Sequence, residues 1–254
     1  MATIHEECGV FGVCVAGMTH AASVTYNALY ALQHRGQESA GMAINDDGVI
    51  TSHKDVGLVS EVFTPEVLEH LGPGSMAVGH VRYATTGRKS RTNAQPMVIN
   101  HVKGSMALAH NGNLTNAAEL REKLELSGAI FHTTSDTEVI AYTITAQRLT
   151  APSIEEAVDA AMDIIQGAYS LVLMSSTKLI AARDPNGFRP LCIGTMEDGG
   201  YVFASESCAL DAIGAHFLRD VEPGEIVIAD GNGLRSIRTH CNGRKSSLCV
   251  FEFI

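Results

Sequence analysis

Cys8-Gly9-Val10-Phe11-Gly12 begins the first apolar run of the chain and reads as a β-strand headed by a cysteine. If residues 1–7 are removed, Cys8 becomes the first residue and carries a thiol and a free α-amine on one carbon framework. The ordinary pKa values of those groups are about 8.5 and 7.7–8.0, so moving the proton from sulfur to nitrogen costs roughly 1 kcal/mol or less. A free amine can act as the base that activates the thiol; an amide nitrogen cannot. A structural reading stands beside this one, because a free cysteine is also a small buried hydrophobe.

Working outward, residues 21–33 carry apolar side chains at helical spacing and end in His34-Arg35-Gly36. Residues 42–44 and 49–51 read as strands joined by Asp46-Asp47-Gly48, whose aspartates are better explained by turn chemistry than by metal binding. Thr64-Pro65-Glu66 opens a short helix, with threonine as cap and proline in its first turn. Residues 77–85 and 106–110 read as strands, the second leading into Asn111-Gly112. Helices follow over 115–126, 137–149 and from Ser153 to near Gly167, the last two opened by apparent capping boxes at Ser135–Glu138 and Ser153–Glu156. Strands then dominate, at 169–174, 179–182, 191–193, 201–204 and 225–228. Antiparallel-looking strands grouped apart from runs of helices predict an α+β layered domain rather than a parallel βαβ sheet.

The chain has 254 residues, 45% of them hydrophobic and 18% charged, which suits a globular protein of one or two domains. A formal charge of −10 argues against nucleic acid and anionic membranes as partners. The first residues lack the basic start and apolar segment of a secretory signal, and no apolar run is long enough to span a bilayer. The 6 cysteines are scattered without a CxxC pair, which fits a reducing cytoplasm. Polar, turn-rich residues 238–247 give way to an apolar strand-like stretch, 249–254, that reads as the start of something longer.

Several polar residues can join Cys8 in acyl-transfer chemistry. The Asn111 side-chain amide and the Gly112 backbone N–H can stabilise an oxyanion, although Asn-Gly is also a common hairpin turn. Arg82 can grip a carboxylate in a bidentate fork, or be an ordinary solvated strand arginine. Asp136 can bind an ammonium group, or simply complement the helix dipole in a first turn. Together they describe a site for an amino acid with a hydrolysable side-chain amide.

Six stretches carry a resemblance: Cys8 to Gly12, LQHRGQESAG (32–41), GHVRYATTG (79–87), LAHNGNLTN (108–116), TSDTEV (134–139) and RDPNGFRPL (183–191). They resemble the class II glutamine amidotransferases, which use an N-terminal cysteine nucleophile. Within that family, LQHRGQESAG, RDPNGFRPL, FASES (203–207) and CVFEFI (249–254) favour the branch that acts on phosphoribosyl pyrophosphate over the glucosamine-phosphate and asparagine synthase relatives. The resemblance implies a four-layer αββα sandwich of the N-terminal-nucleophile hydrolase type. It implies a propeptide at 1–7, an amidotransferase domain over 8–238, and at 239–254 a linker and the start of a truncated phosphoribosyltransferase domain. It assigns Cys8, Asn111 and Gly112 to catalysis and Arg82 and Asp136 to binding glutamine. A magnesium site belongs to the missing domain, and the full-length enzyme is expected to be a homo-oligomer. Members with a propeptide tend to carry a [4Fe–4S] cluster, for which Cys249 stands where a first ligand lies; the glutaminase step needs no cofactor. Two rivals remain: a catalytically silent glutamine-binding or docking module, and an N-terminal-cysteine hydrolase of another amide.

Overall fold

A computed structural model describes residues 8–83, 90–243 and 246–253. The expected leader at 1–7, residues 84–87 of the arginine-bearing motif, and Ile254 lie outside that set. From the N-terminus the chain runs β1 (Gly9–Cys14), α1 (Ala21–Ala31), β2 (Ser39–Asp46), β3 (Val49–Val56), α2 (Val59–Val62), α3 (Pro65–Leu71) and β4 (Met76–Arg82). The middle adds β5 (Met97–His101), β6 (Gly104–Leu114), α4 (Ala117–Leu126), α5 (Asp136–Arg148) and α6 (Ile154–Met162). The last part is β7 (Gly167–Ser175), β8 (Leu179–Arg183), β9 (Cys192–Thr195), β10 (Tyr201–Ala204), α7 (Cys208–Ala212), β11 (His216–Asp220), β12 (Ile226–Asp230) and β13 (Gly233–Ile237).

Two antiparallel sheets result, one ordered β11-β9-β10-β1-β4-β2-β3 and the other β13-β12-β8-β7-β6-β5. Alternation along each strand divides the core into three apolar layers. Phe11 and Val13 of β1 turn outward onto Leu29 of α1 and Leu210 of α7. Leu108 of β6 and Leu173 of β7 turn the other way, onto Ile140 of α5 and Val158 of α6. Between the sheets lie Val10, Val78, Ala109 and Val172. The architecture is therefore the expected αββα sandwich. The sheets meet closely over β1, where a Cβ on Gly12 would fall 2.6 Å from a Val172 methyl.

Local signals held where the chemistry is local. Thr64 Oγ1 accepts from the Val67 N–H at 3.4 Å with Pro65 in the first turn, and Asp47 and Gly48 turn β2 into β3 at φ 47° and 87°. The box expected at Ser135–Glu138 forms only in half. Ser135 caps α5 by accepting from Thr137 N–H at 3.2 Å, but the Glu138 carboxylate turns instead to the N–H groups of His132 and Thr133. The strand-like stretch at 249–254 is instead a 3-10 turn over Val250–Phe253. Cys249 N–H to Phe188 carbonyl (3.1 Å) and Ser247 N–H to Asn186 carbonyl (2.8 Å) tie this segment to the sandwich. Among the described residues, no helix is long and apolar enough to cross a membrane.

Candidate functional site

Strand parity brings the candidates together. Cys8 precedes Gly9, which pairs with Val81, so the cysteine stands beside the end of β4. Cys8 shares parity with inward-facing Val10, Arg82 with Val78, and Asn111 with Ala107 and Ala109, and all three therefore line the layer between the sheets. The sheets are pinned there by His80, whose Nε2 donates to the His110 carbonyl at 3.0 Å. Asn111 is the next residue along β6.

Asn111-Gly112 is not a hairpin turn. Both residues lie inside β6, paired with Ser170 and Tyr169 of β7. On the other edge of β6 the β5 ladder stops at Met97↔Leu108. The Gln95 side-chain amide takes over, accepting from His110 N–H at 2.7 Å and donating to its carbonyl at 3.3 Å. Further along, Leu114 N–H donates to Asp136 Oδ2 at 2.9 Å. Backbone alternation turns the Gly112 N–H to this same edge, between the Gln95 and Asp136 side chains. Gly112 has φ 137°, and an added Cβ would fall 2.1 Å from the Ala168 carbonyl oxygen, so only glycine fits. The Asn111 side chain is wholly buried, yet neither its Oδ1 nor its Nδ2 has a hydrogen-bond partner among the described residues. A buried amide left unpaired costs about 1–3 kcal/mol.

Arg82 is not a solvated strand arginine either. Its Nη1 donates to Glu38 Oε1 at 2.5 Å, and both side chains are only 6% exposed. That contact fixes the guanidinium on the inner face. Asp136, in the first turn of α5, is 14% exposed and lies 3.7 Å from His110 Nδ1. Its cap-like position is real, but its carboxylate is spent on the edge of β6 as well as on the helix dipole.

The Cys8 thiol donates to the Tyr83 carbonyl at 3.5 Å, and the Cys8 carbonyl accepts from Arg35 Nε at 3.0 Å. Arg35 is itself clamped, by Glu206 at 2.5 Å and Glu252 at 2.8 Å. Glu252, 3% exposed, also takes Arg189 Nη1 at 3.1 Å. Ser205 closes the same corner, its Oγ accepting from Val10 N–H at 3.0 Å. Sequence alone gives no role to Arg35, Glu38, His80, Gln95, Glu206 or Glu252. Most of them stand in or beside motifs already singled out, which was the only signal available.

Electrostatics narrow the choice of nucleophile and base. Burial pushes the thiols of Cys14, Cys192 and Cys208 up to about 11, about 12 and about 11, which keeps them protonated and unreactive. Burial drives His80 down to about 3, against the hydrogen bond to His110 that raises it. His110 is also lowered by burial, against the pull of Asp136. Imidazoles so reluctant to take a proton are poor bases for a thiol. Cys249 is half-buried. Among the described residues the metal-ligating side chains that converge in threes are His34, Glu206 and Cys208, and Cys249 is not one of them.

Comparison with known proteins gives the family and the fold. The sequence profile of the glutamine amidotransferase domain matches residues 80–212. Amidophosphoribosyltransferase of Bacillus subtilis (strain 168) is 46% identical over 252 residues, covering 99% of this chain and 52% of that protein. The structure of glutamine phosphoribosylpyrophosphate amidotransferase from B. subtilis, complexed with ADP and GMP, superposes with a TM-score of 0.88 at 44% identity, over 97% of this chain and 52% of that one. A structure described as the allosteric regulatory enzyme of purine biosynthesis gives a TM-score of 0.90 at 45% identity, with the same coverage. The chain thus spans about half the length of the curated relatives it matches.

Proposed function

This chain belongs to the glutamine amidotransferase domain family, and from that premise we propose that it hydrolyses the side-chain amide of glutamine through a thioester on Cys8. Removal of residues 1–7 frees the α-amine. That amine takes the thiol proton, and sulfur attacks the amide carbon. The carbonyl oxygen, now an oxyanion, is met by Asn111 Nδ2 and the Gly112 N–H. Collapse of the tetrahedral intermediate returns the proton to the departing nitrogen and expels ammonia. Water, deprotonated by the same amine, then attacks the γ-glutamyl thioester and releases glutamate. Arg82, oriented by Glu38, holds the substrate α-carboxylate, and Asp136 holds its α-ammonium group.

The observation that carries this reading is the buried, unpartnered amide of Asn111 on the inner face shared with Cys8. A preorganised donor of this kind is worth about 2.7–4 kcal/mol in acyl transfer. The names of the relatives support a wider reading, in which the ammonia is passed to phosphoribosyl pyrophosphate to give phosphoribosylamine for purine synthesis. That step belongs to a second domain, in a cytoplasmic homo-oligomer when the enzyme is full length. To test the glutaminase reading, trimmed chain is incubated with an electrophilic glutamine analogue and the adduct mapped by mass spectrometry. Stoichiometric labelling of Cys8, blocked by glutamine, is expected. Labelling elsewhere, or glutamine binding without turnover, overturns it.

A further inference from the structure

On the side of Arg35 away from the nucleophile, three side chains of different chemistry converge. His34 follows the last turn of α1, Glu206 lies in the loop after β10, and Cys208 is the first residue of α7. His34 Nε2, Glu206 Oε2 and Cys208 Sγ all lie within 4.8 Å of one another. Nε2 stands 3.0 Å and Sγ 3.5 Å from Oε2. A tetrahedral zinc ion, with bonds of about 2.0 Å to oxygen and nitrogen and about 2.3 Å to sulfur, spaces its oxygen and sulfur ligands ~3.5 Å apart and its oxygen and nitrogen ligands ~3.3 Å apart. The two separations from Glu206 Oε2 stand close to those spacings, and His34 Nε2 lies within 4.8 Å of Cys208 Sγ.

The hydrogen bonds around the cluster say more than the distances. His34 Nδ1 lies 3.0 Å from the Ala31 carbonyl, which can only accept, so Nδ1 carries the proton. Its Nε2 lies 3.0 Å from Glu206 Oε2, an ion pair when the ring is protonated and a ligand position when a metal replaces that proton. A metal-bound histidine is oriented in the same way, by donating its other N–H to a backbone carbonyl. Glu206 is oriented as well, since its Oε1 is held by Arg35 Nη1 at 2.5 Å.

The geometry points to a divalent transition-metal site of the zinc class, held by His34 Nε2, Glu206 Oε2 and Cys208 Sγ, with its fourth position open to solvent beside the exposed His34 ring. Loading forms a metal–sulfur bond and releases the thiol proton to water. A neutral imidazole, a carboxylate and a thiolate then balance the two positive charges of the ion. The proton released on binding is itself a readout. A bound ion would also brace Glu206, through which Arg35 is kept on the Cys8 carbonyl.

The test is titration of the chelator-stripped chain with zinc by equilibrium dialysis, and with cobalt(II) as a spectroscopic substitute. Wild type is compared with His34→Gln, Cys208→Ser and Cys8→Ser, the last because a terminal cysteine can chelate metal by itself. His34 is exposed, so His34→Gln keeps the fold even if Cys208→Ser does not. One equivalent of zinc is expected, with about one proton released and a thiolate-to-cobalt charge-transfer band. Binding and band should persist in Cys8→Ser, while affinity falls at least about tenfold in His34→Gln and the band disappears in Cys208→Ser. Unchanged affinity in His34→Gln, a cobalt spectrum without a thiolate band, loss in Cys8→Ser alone, or no stoichiometric binding would each overturn the site.

Discussion

Asn111 and Asp184 are both wholly buried polar side chains, one inside β6 and one just past the end of β8. Asp184 accepts from the N–H groups of Asn186 at 2.9 Å, Phe188 at 3.0 Å and Tyr169 at 3.3 Å. Asn111 has no partner among the described residues for either end of its amide. A saturated buried group holds the architecture together, here by folding the RDPNGFRPL loop. An unsaturated one lowers stability and persists because something else uses it. For these two residues the contrast sets a scaffold group beside a candidate site group.

That contrast fails or sharpens under substitution. Asn111→Ala should lower kcat for glutamine hydrolysis by about 10²–10³-fold, roughly 3–4 kcal/mol of transition-state stabilisation, while leaving the thermal midpoint unchanged or higher. A large loss of stability with kcat intact would reverse the assignment. Asp184→Ala should do the opposite, leaving three N–H groups unanswered, that of Tyr169 buried and those of Asn186 and Phe188 half-buried, and costing about 3 kcal/mol in urea denaturation. A cost below about 1 kcal/mol would remove the contrast.

A smaller effect is expected at the clamp behind the nucleophile. Glu252→Gln weakens the hold on Arg35 and hence on the Cys8 carbonyl, and should reduce kcat about fivefold, near 1 kcal/mol, with KM little changed. A change confined to KM would mean that the clamp does not position Cys8. Smallest is a purely structural trio on the outer side of the second sheet, where Glu155 takes Lys178 Nζ at 2.7 Å and Arg235 Nη2 at 2.5 Å. Burial raises its pKa, but Lys178 and Arg235 outweigh that and bring it to about 2. A folded-state pKa below the unfolded value of about 4.3 gives stability that is present above that pH and lost as pH falls toward 2. Glu155→Gln should therefore flatten the acid limb of the stability profile by about 1 kcal/mol and leave activity alone.

Features that depend on neighbouring residues were legible in the sequence. The Thr64-Pro65 cap, the Asp47-Gly48 turn and the start of α5 each rest on a few adjacent residues, and each formed. Asn111-Gly112 shows how a local signal is overridden: the pair favours a turn, but the β7 ladder and the close approach of Ala168 hold it extended. Arg82 could be placed on a strand but not recognised as buried, because its partner Glu38 is 44 residues away. The Arg35 clamp is further out of reach, with Glu206 and Glu252 lying 171 and 217 residues downstream. No window of periodicity or capping spans such distances. Glu138 departs from its pattern for the converse reason: the box spacing is present, but the loop before α5 offers its carboxylate two other N–H groups.

The central claim is that the nitrogen of Cys8, once freed, arms its own sulfur. Its most direct test is the rate of glutamate formation by chain still bearing residues 1–7, set beside chain that begins at Cys8, at equal concentration and saturating glutamine. The trimmed chain should turn over at least about 10²-fold faster, the usual worth of a positioned base. Equal rates would contradict the claim, whatever the roles of Asn111, Gly112, Arg82 and Asp136.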